Sequence, residues 1–250
     1  LSTTVTAADL ATARGTLSSR AAESLFWFGR HGERCDATAR LLRVAIAGLI
    51  GDPPPAGDGY APALVLAERH GLLASREQPA SGLIRAATQP DEGLGAELRQ
   101  LARVAFSLRD HMSGDHWRAL NQLIADPVFR AGLAPSLPQA LAWLDRAVAA
   151  MMAQSGFVLD GMTRGTGWRF LSIGRSLERA NAMAQLLAWF AAPDTPEGAL
   201  DLVVEVGDSV LSHRRLYAVA TSRSTVVDLL ACDANNPRSI HYHLAEIESQ

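Results

Sequence analysis

The strongest constraint on this chain is a stretch that occurs twice. Leu25 to Leu42 reads LFWFGRHGERCDATARLL, and Phe170 to Leu187 reads FLSIGRSLERANAMAQLL. The two align without a gap at an offset of 145 residues, with 8 identities in 18 positions. Gly29, Arg30, Glu33 and Arg34 match Gly174, Arg175, Glu178 and Arg179. Matched Ala and Leu are common between helices, but a shared G-R-x-x-E-R is harder to obtain by chance. The repeat implies an internal duplication, in which two diverged halves share one core. The halves are expected at about 18–127 and 135–250 of one helical domain spanning 18–250, with 1–17 as a small, polar linker or lead-in.

On a helix, Arg30, Glu33 and Arg34 fall at i, i+3 and i+4 and share a face, as do Arg175, Glu178 and Arg179. Glycine inside a helix costs about 1 kcal/mol relative to alanine. Gly29 and Gly174 therefore imply a close backbone approach, most simply to each other's helix. A crossing there would bring Glu33 to Arg179 and Glu178 to Arg34 about a pseudo-two-fold axis. Carboxylate and guanidinium can pair there through two parallel hydrogen bonds. The other reading is a pocket whose two glutamates and four arginines bind a carboxylate, a phosphate or a partner's charged tail. The sequence leaves both open.

The rest of the chain reads as helices. Ser18 or Ser19 caps a helix running to about Leu49, stopped by Gly51 and Pro53 to Pro55. Shorter helices are expected over Ala63 to Ala74 and Ser81 to Thr88. One opens at Pro90 and runs to about Met112, and another follows Ser113. Ser136 with Pro138 opens a helix to about Leu159, and the second E-R helix runs from Trp168 to Phe190. Thr195-Pro196-Glu197 predicts a helix through Gly207 to Tyr217, Ser222 or Ser224 one ending near Cys232, and Asn236-Pro237 a last one. No stretch alternates like a strand, so the expected fold is all-α, a bundle of about nine or ten helices.

Composition excludes some functions. A net charge of −3 argues against broad nucleic-acid binding. No uncharged apolar run is long enough for a membrane span, and no signal peptide is visible. Cys35 and Cys232 have no metal-type spacing and read as reduced core thiols. His111 with His116, and His241 with His243, lack metal-ligand spacing, so no metal site is expected. Thr163 to Gly167 precedes a helix and is flanked by Arg164 and Arg169. It is either a turn between packed helices or a weak anion site. Asn235 to Ser239 is either a capped helix start or a polar edge presenting Arg238 and Ser239 to a groove. Trp117 and Trp168 read as packing anchors. No nucleophile can be matched to a base, so catalytic residues are unassigned.

These segments resemble one family, the alpha-E domain of bacteria. SRAAESLFWFGRHGERCDATARLL looks like its opening helix, and RDHMSGDHWRALNQL is similar to its middle signature. MTRGTGWRFLSIGRSLERA looks like its second E-R helix, and LLACDANNPRSI is similar to its closing segment. The chain departs from the family where an N-P-x-S-I-like segment is usual, reading Gln89-Pro90-Asp91-Glu92-Gly93-Leu94 instead. The resemblance implies a domain fused to, or working beside, a circularly permuted ATP-grasp domain, with a transglutaminase-like protein as a further partner. It implies an accessory role in a cytoplasmic ATP-dependent carboxylate–amine ligase system acting on peptides or amino-acid-like substrates. ATP and Mg would then belong to the ATP-grasp domain, with no cofactor in this one. Two alternatives stay open: a peptide-modifying enzyme with an Arg/Glu active site, and a purely structural oligomerisation module.

Overall fold

The computed structural model describes residues 17–51, 60–129, 135–193, 195–196 and 198–250. The lead-in before Leu17, the proline run at 53–55 and Glu197 lie outside them. Helix α1, Ser19–Ile50, begins where the Ser18 hydroxyl accepts a hydrogen bond from the Ala21 amide (3.2 Å). That bond satisfies one of the free N–H groups at a helix start. Then come α2 (Ala61–Arg69), α3 (Pro79–Thr88), α4 (Gly93–Ser107) and α5 (Gly114–Ile124), the last capped by Ser113. Helix α6, Leu137–Gly161, starts in a capping box of Ser136 and Gln139. Helix α7, Thr166–Phe190, carries the second E-R stretch. It is followed by α8 (Ala199–Val206), α9 (Val210–Tyr217), α10 (Arg223–Val227) and α11 (Ile240–Glu248). The fold is all-α, as expected, and no strand occurs among the described residues.

Helix α1 is the axis. It packs most heavily on α7, then on α6 and α4, while α11 covers the outer side of α7. Because neighbours surround it, apolar groups are buried on more than one face of α1: Phe28, Cys35, Leu42 and Ile46 share one face, and Leu41 lies well round from it. Those side chains join Leu94, Leu98 and Leu101 of α4 and Trp143 and Leu144 of α6 in one core. The Trp143 indole N–H is satisfied inside that core by the Ala87 carbonyl (3.0 Å).

Several boundaries differ from expectation for local reasons. The helix expected from Thr195 to Tyr217 starts instead at Ala199, after Gly198 at φ 84°. The Thr195 hydroxyl turns back to the carbonyls of Trp189, Phe190 and Ala192, so it closes α7 and does not open α8. The same helix breaks at Gly207, and Asp208 takes the left-handed conformation (φ 51°). Helix α2 stops at Arg69, five residues short of Ala74. Helix α4 starts after Pro90 to Glu92 and ends at Ser107, with a 3-10 turn at Arg109–His111. Helix α10 continues as a π-helix over Asp228–Cys232, which leaves Cys232 exposed, not in the core; Cys35 is buried as expected. The last helix is capped by Ser239, three residues beyond Asn236.

Candidate functional site

The glycines bring α1 and α7 into backbone contact. A Cβ placed on Gly29 would overlap the Leu171 carbonyl oxygen and lie 2.9 Å from the Arg175 amide nitrogen. One placed on Gly174 would overlap the Phe26 carbonyl oxygen. This close approach sets each E-R face against the other helix.

The six E-R side chains then pair reciprocally across the crossing. Arg175 Nε donates to Glu33 Oε1 (3.0 Å). Arg179 forks onto the same carboxylate, Nε to Oε2 at 2.7 Å and Nη2 to Oε1 at 2.8 Å. In the opposite sense Glu178 receives Arg30 Nε at 2.5 Å and Arg34 Nε at 2.7 Å. Both glutamates are buried. Burial alone would raise the Glu33 carboxyl, but the Arg179 and Arg175 guanidiniums overcome it and hold the pKa at about 2. The expected contacts Glu33–Arg179 and Glu178–Arg34 are present, joined by Arg175 and Arg30.

A second network, invisible in the repeat, continues from the first. Arg40 lies one turn after Asp36 on α1 and grips it through Nε at 3.0 and 2.9 Å. Arg40 Nη1 also reaches Asp208 Oδ1 at 2.9 Å. Arg238 closes the ring, Nη1 to Asp36 Oδ2 at 3.2 Å and Nη2 to Asp208 Oδ2 at 2.5 Å. The break after α8 therefore has a use: Asp208 is turned to meet two arginines from distant parts of the chain. The Asn236 side chain shapes the turn that delivers Arg238, accepting from the Arg238 amide (3.1 Å) and donating to the Leu229 carbonyl (2.9 Å). His243 of α11 donates from Nε2 to the Pro237 carbonyl (3.0 Å). Burial, then the adjacent Arg179 charge, lower its pKa to about 4, so it is neutral near pH 7.

Between these networks and the α2–α4 side lies a cavity of about 550 Å³. Arg34, Arg179 and Arg238 form part of one wall, and Leu66, Leu72 and Leu186 contribute apolar surface. Among the expected site residues, the structure brings together Arg30, Glu33, Arg34, Arg175, Glu178, Arg179 and Arg238. Ser239 instead caps α11, accepting from the Tyr242 amide (3.0 Å) and donating to the Asp233 carbonyl. Arg164 stacks 4.5 Å above the Trp168 ring and donates to the Leu159 carbonyl (2.6 Å) at the end of α6. Arg169 reaches the Gln250 carbonyl (3.4 Å). These contacts of Arg164 and Arg169 lie away from the E-R cluster. Asp36, Arg40 and Asp208 escaped the sequence reading, which weighed His243 only as a metal ligand. Asp36 and Arg40 carry an i, i+4 signal within the first E-R stretch, whereas nothing local marks Asp208 or His243.

A family model described as "a predicted alpha-helical domain with a conserved ER motif", Alpha-E, matches residues 17–250. Uncharacterized proteins of Mycobacterium tuberculosis and Mycobacterium bovis are 26% identical over 267 aligned positions, which cover 93% of this chain. The chain spans 29% of the length of these relatives. No solved structure matches.

Proposed function

The chain belongs to the Alpha-E family, and from that premise we propose an accessory, non-catalytic domain of an ATP-dependent carboxylate–amine ligase system. Its substrates would be peptides or amino-acid-like molecules. The observation that carries the non-catalytic reading is the pairing of both E-R glutamates with arginine. All four of their carboxylate oxygens accept from arginine, and Glu33 is held ionised far below neutral pH. A general base or acid needs a pKa near the working pH and a free lone pair or proton. Glu33 has no such pKa, and both carboxylates serve to clamp α1 to α7. The reciprocal clamp also supports reading the chain as two diverged halves, about 18–127 and 135–250.

The ligase assignment is supported by the resemblance to domains that accompany circularly permuted ATP-grasp enzymes, and by relatives more than three times as long as this chain. In this reading ATP and Mg are held by the ATP-grasp component in the cytoplasm, a transglutaminase-like protein is a further partner, and this domain presents or positions the acceptor. The cavity beside the clamp favours a second reading, a peptide-modifying site built on the Arg/Glu cluster. Reconstitution separates them. The isolated chain is expected to consume no ATP and to leave peptides intact, yet to raise amine-dependent ATP turnover when added to its ATP-grasp partner. Turnover of peptide by the chain alone would establish the enzyme reading. A stable dimer without effect on the partner would establish an oligomerisation module.

A further inference from the structure

The ion-pair networks leave some of the cavity's charged groups unspent. Its lining holds four guanidiniums, from Arg34, Arg40, Arg179 and Arg238, and four carboxylates, from Glu33, Asp36, Glu97 and Glu178. Burial, then the Arg69 charge, lower the pKa of His70, so that residue adds no charge at pH 7. The lining is balanced, which favours a ligand without net charge.

Three of the carboxylates are spent. Glu33 is held by Arg175 and Arg179, Glu178 by Arg30 and Arg34, and Asp36 by Arg40 and Arg238. Glu97 on α4 is not. Its one ionic neighbour within 4 Å among the described residues is His31 Nδ1, 3.5 Å from Oε2 and without a hydrogen bond to it. That Oε2 is buried, and a buried carboxylate oxygen without a donor is costly.

On the other side, Arg179 and Arg238 are spent on Glu33, Asp36 and Asp208. Arg34 uses only Nε, toward Glu178, and its side chain is one-third exposed on the cavity wall. Arg40 is 3% exposed, and its Nη2 has no hydrogen-bond partner among the described residues. The hydrogen bond to Glu178 leads the rise in the Arg34 pKa, against burial, and the Glu97 charge adds to it. Glu97 is thus felt at Arg34, yet the two close no ion pair. The cavity keeps one acceptor and two donors unused, beside apolar surface from Leu66, Leu72, Met183 and Leu186. Its volume of about 550 Å³ falls within the range of small-molecule sites, roughly 300–1,000 Å³.

We propose that the cavity binds a small zwitterion, an amino acid or short peptide with a free ammonium, a free carboxylate and an apolar side chain. Glu97 takes the ammonium. Arg34 takes the carboxylate, with Arg40 Nη2 as a further donor from the same helix, and the leucine surface takes the side chain. The site gives the acceptor of the proposed ligase system a chemical class and to that extent rests on that reading. Binding by the chain alone and ATP turnover by the reconstituted pair are separate readouts, so either can fail without the other.

Calorimetric titration of the chain with L-leucine and leucyl-leucine, each beside its N-acetyl form and its C-terminal amide, tests the proposal. At least one zwitterion is expected to bind, at least tenfold more tightly than both of its singly charged forms. Binding of leucyl-leucine alone assigns the site to a peptide's two termini, and binding of leucine alone to a free amino acid; both support it. Arg34→Gln leaves Glu178 paired with Arg30, and Glu97 has no hydrogen bond to lose, so both variants should melt as the unmodified chain does. Glu97→Gln should erase the preference over the N-acetyl form, and Arg34→Gln the preference over the amide. The analogue series on the unmodified chain decides the matter even if a variant misfolds. A zwitterion bound no better than either singly charged form, both preferences surviving in the folded variants, or no zwitterion binding at roughly 10 mM, well above a weak millimolar Kd, would each overturn it.

Discussion

Replacing Glu33 by Gln changes almost no volume and removes one charge from the α1–α7 crossing. Three hydrogen bonds from Arg175 and Arg179 lose their ionised acceptor, while the two guanidiniums stay where they are, 18% and 16% exposed. Stripping one partner from a buried ion pair costs about 3–5 kcal/mol. An independent route gives a similar figure. Glu33 titrates at about 2 in the fold against a reference of 4.5, and that gap is worth roughly 3 kcal/mol at pH 7. Water reaches part of both arginines, and the Gln carbonyl still accepts one bond, so the lower end, about 3 kcal/mol, is the expected loss. For a domain of this size that lowers Tm by about 6–12 °C. The assay is a calorimetric or circular-dichroism melt at pH 7, with Glu178→Gln alongside. Glu178 has two bonds to more exposed arginines, 20% and 33%, so its loss should be the smaller. The pH dependence adds a check. The folded pKa of Glu33 lies below the unfolded one, so its contribution is complete above about 4.5 and fades as pH falls toward about 2. The gap between wild type and Glu33→Gln should therefore narrow below pH 4.5. An unchanged or raised Tm in Glu33→Gln at pH 7 would refute the clamp.

Three further outcomes follow from the same geometry. Gly29→Ala and Gly174→Ala, which would stabilise an ordinary helix, should each destabilise this one by about 1–3 kcal/mol, because the new Cβ meets backbone; urea titration reads the sign. His243 has a folded pKa near 4, below the ordinary histidine value of 6.5, so stability should fall as pH drops from about 6.5 to 4. His116 and His70 are lowered too and add to that slope, so His243→Gln should reduce it without removing it, as measured by urea midpoints across the window. Under native conditions one thiol, Cys232, should react promptly with a disulfide reagent, and Cys35, buried and with its pKa raised by that burial, should react only on unfolding; prompt reaction of both would contradict the packing of α1.

Much of this molecule was legible along the chain because its signals are local. Ser18, Ser113 and Ser136 cap helices through contacts within a few residues, and periodicity alone gave the all-α class. The E-R spacing, with a glycine that only a close crossing explains, even gave the pairing of α1 with α7. The same local logic misjudged Thr195, whose hydroxyl serves the helix behind it, and Cys232, which a π-helix turns outward. What lay beyond the sequence was every contact made at long range between groups with no repeat to announce them. Asp208 sits in a left-handed break that reads as continuous helix, and it becomes a site residue only where the Asn236 turn lays Arg238 against α1. The excess of arginine over carboxylate in the two ion-pair networks is likewise a sum over four separate stretches of chain. Local sequence determines which helices form and which faces are charged. Tertiary structure alone decides which of those charges find partners and which are left facing an open space.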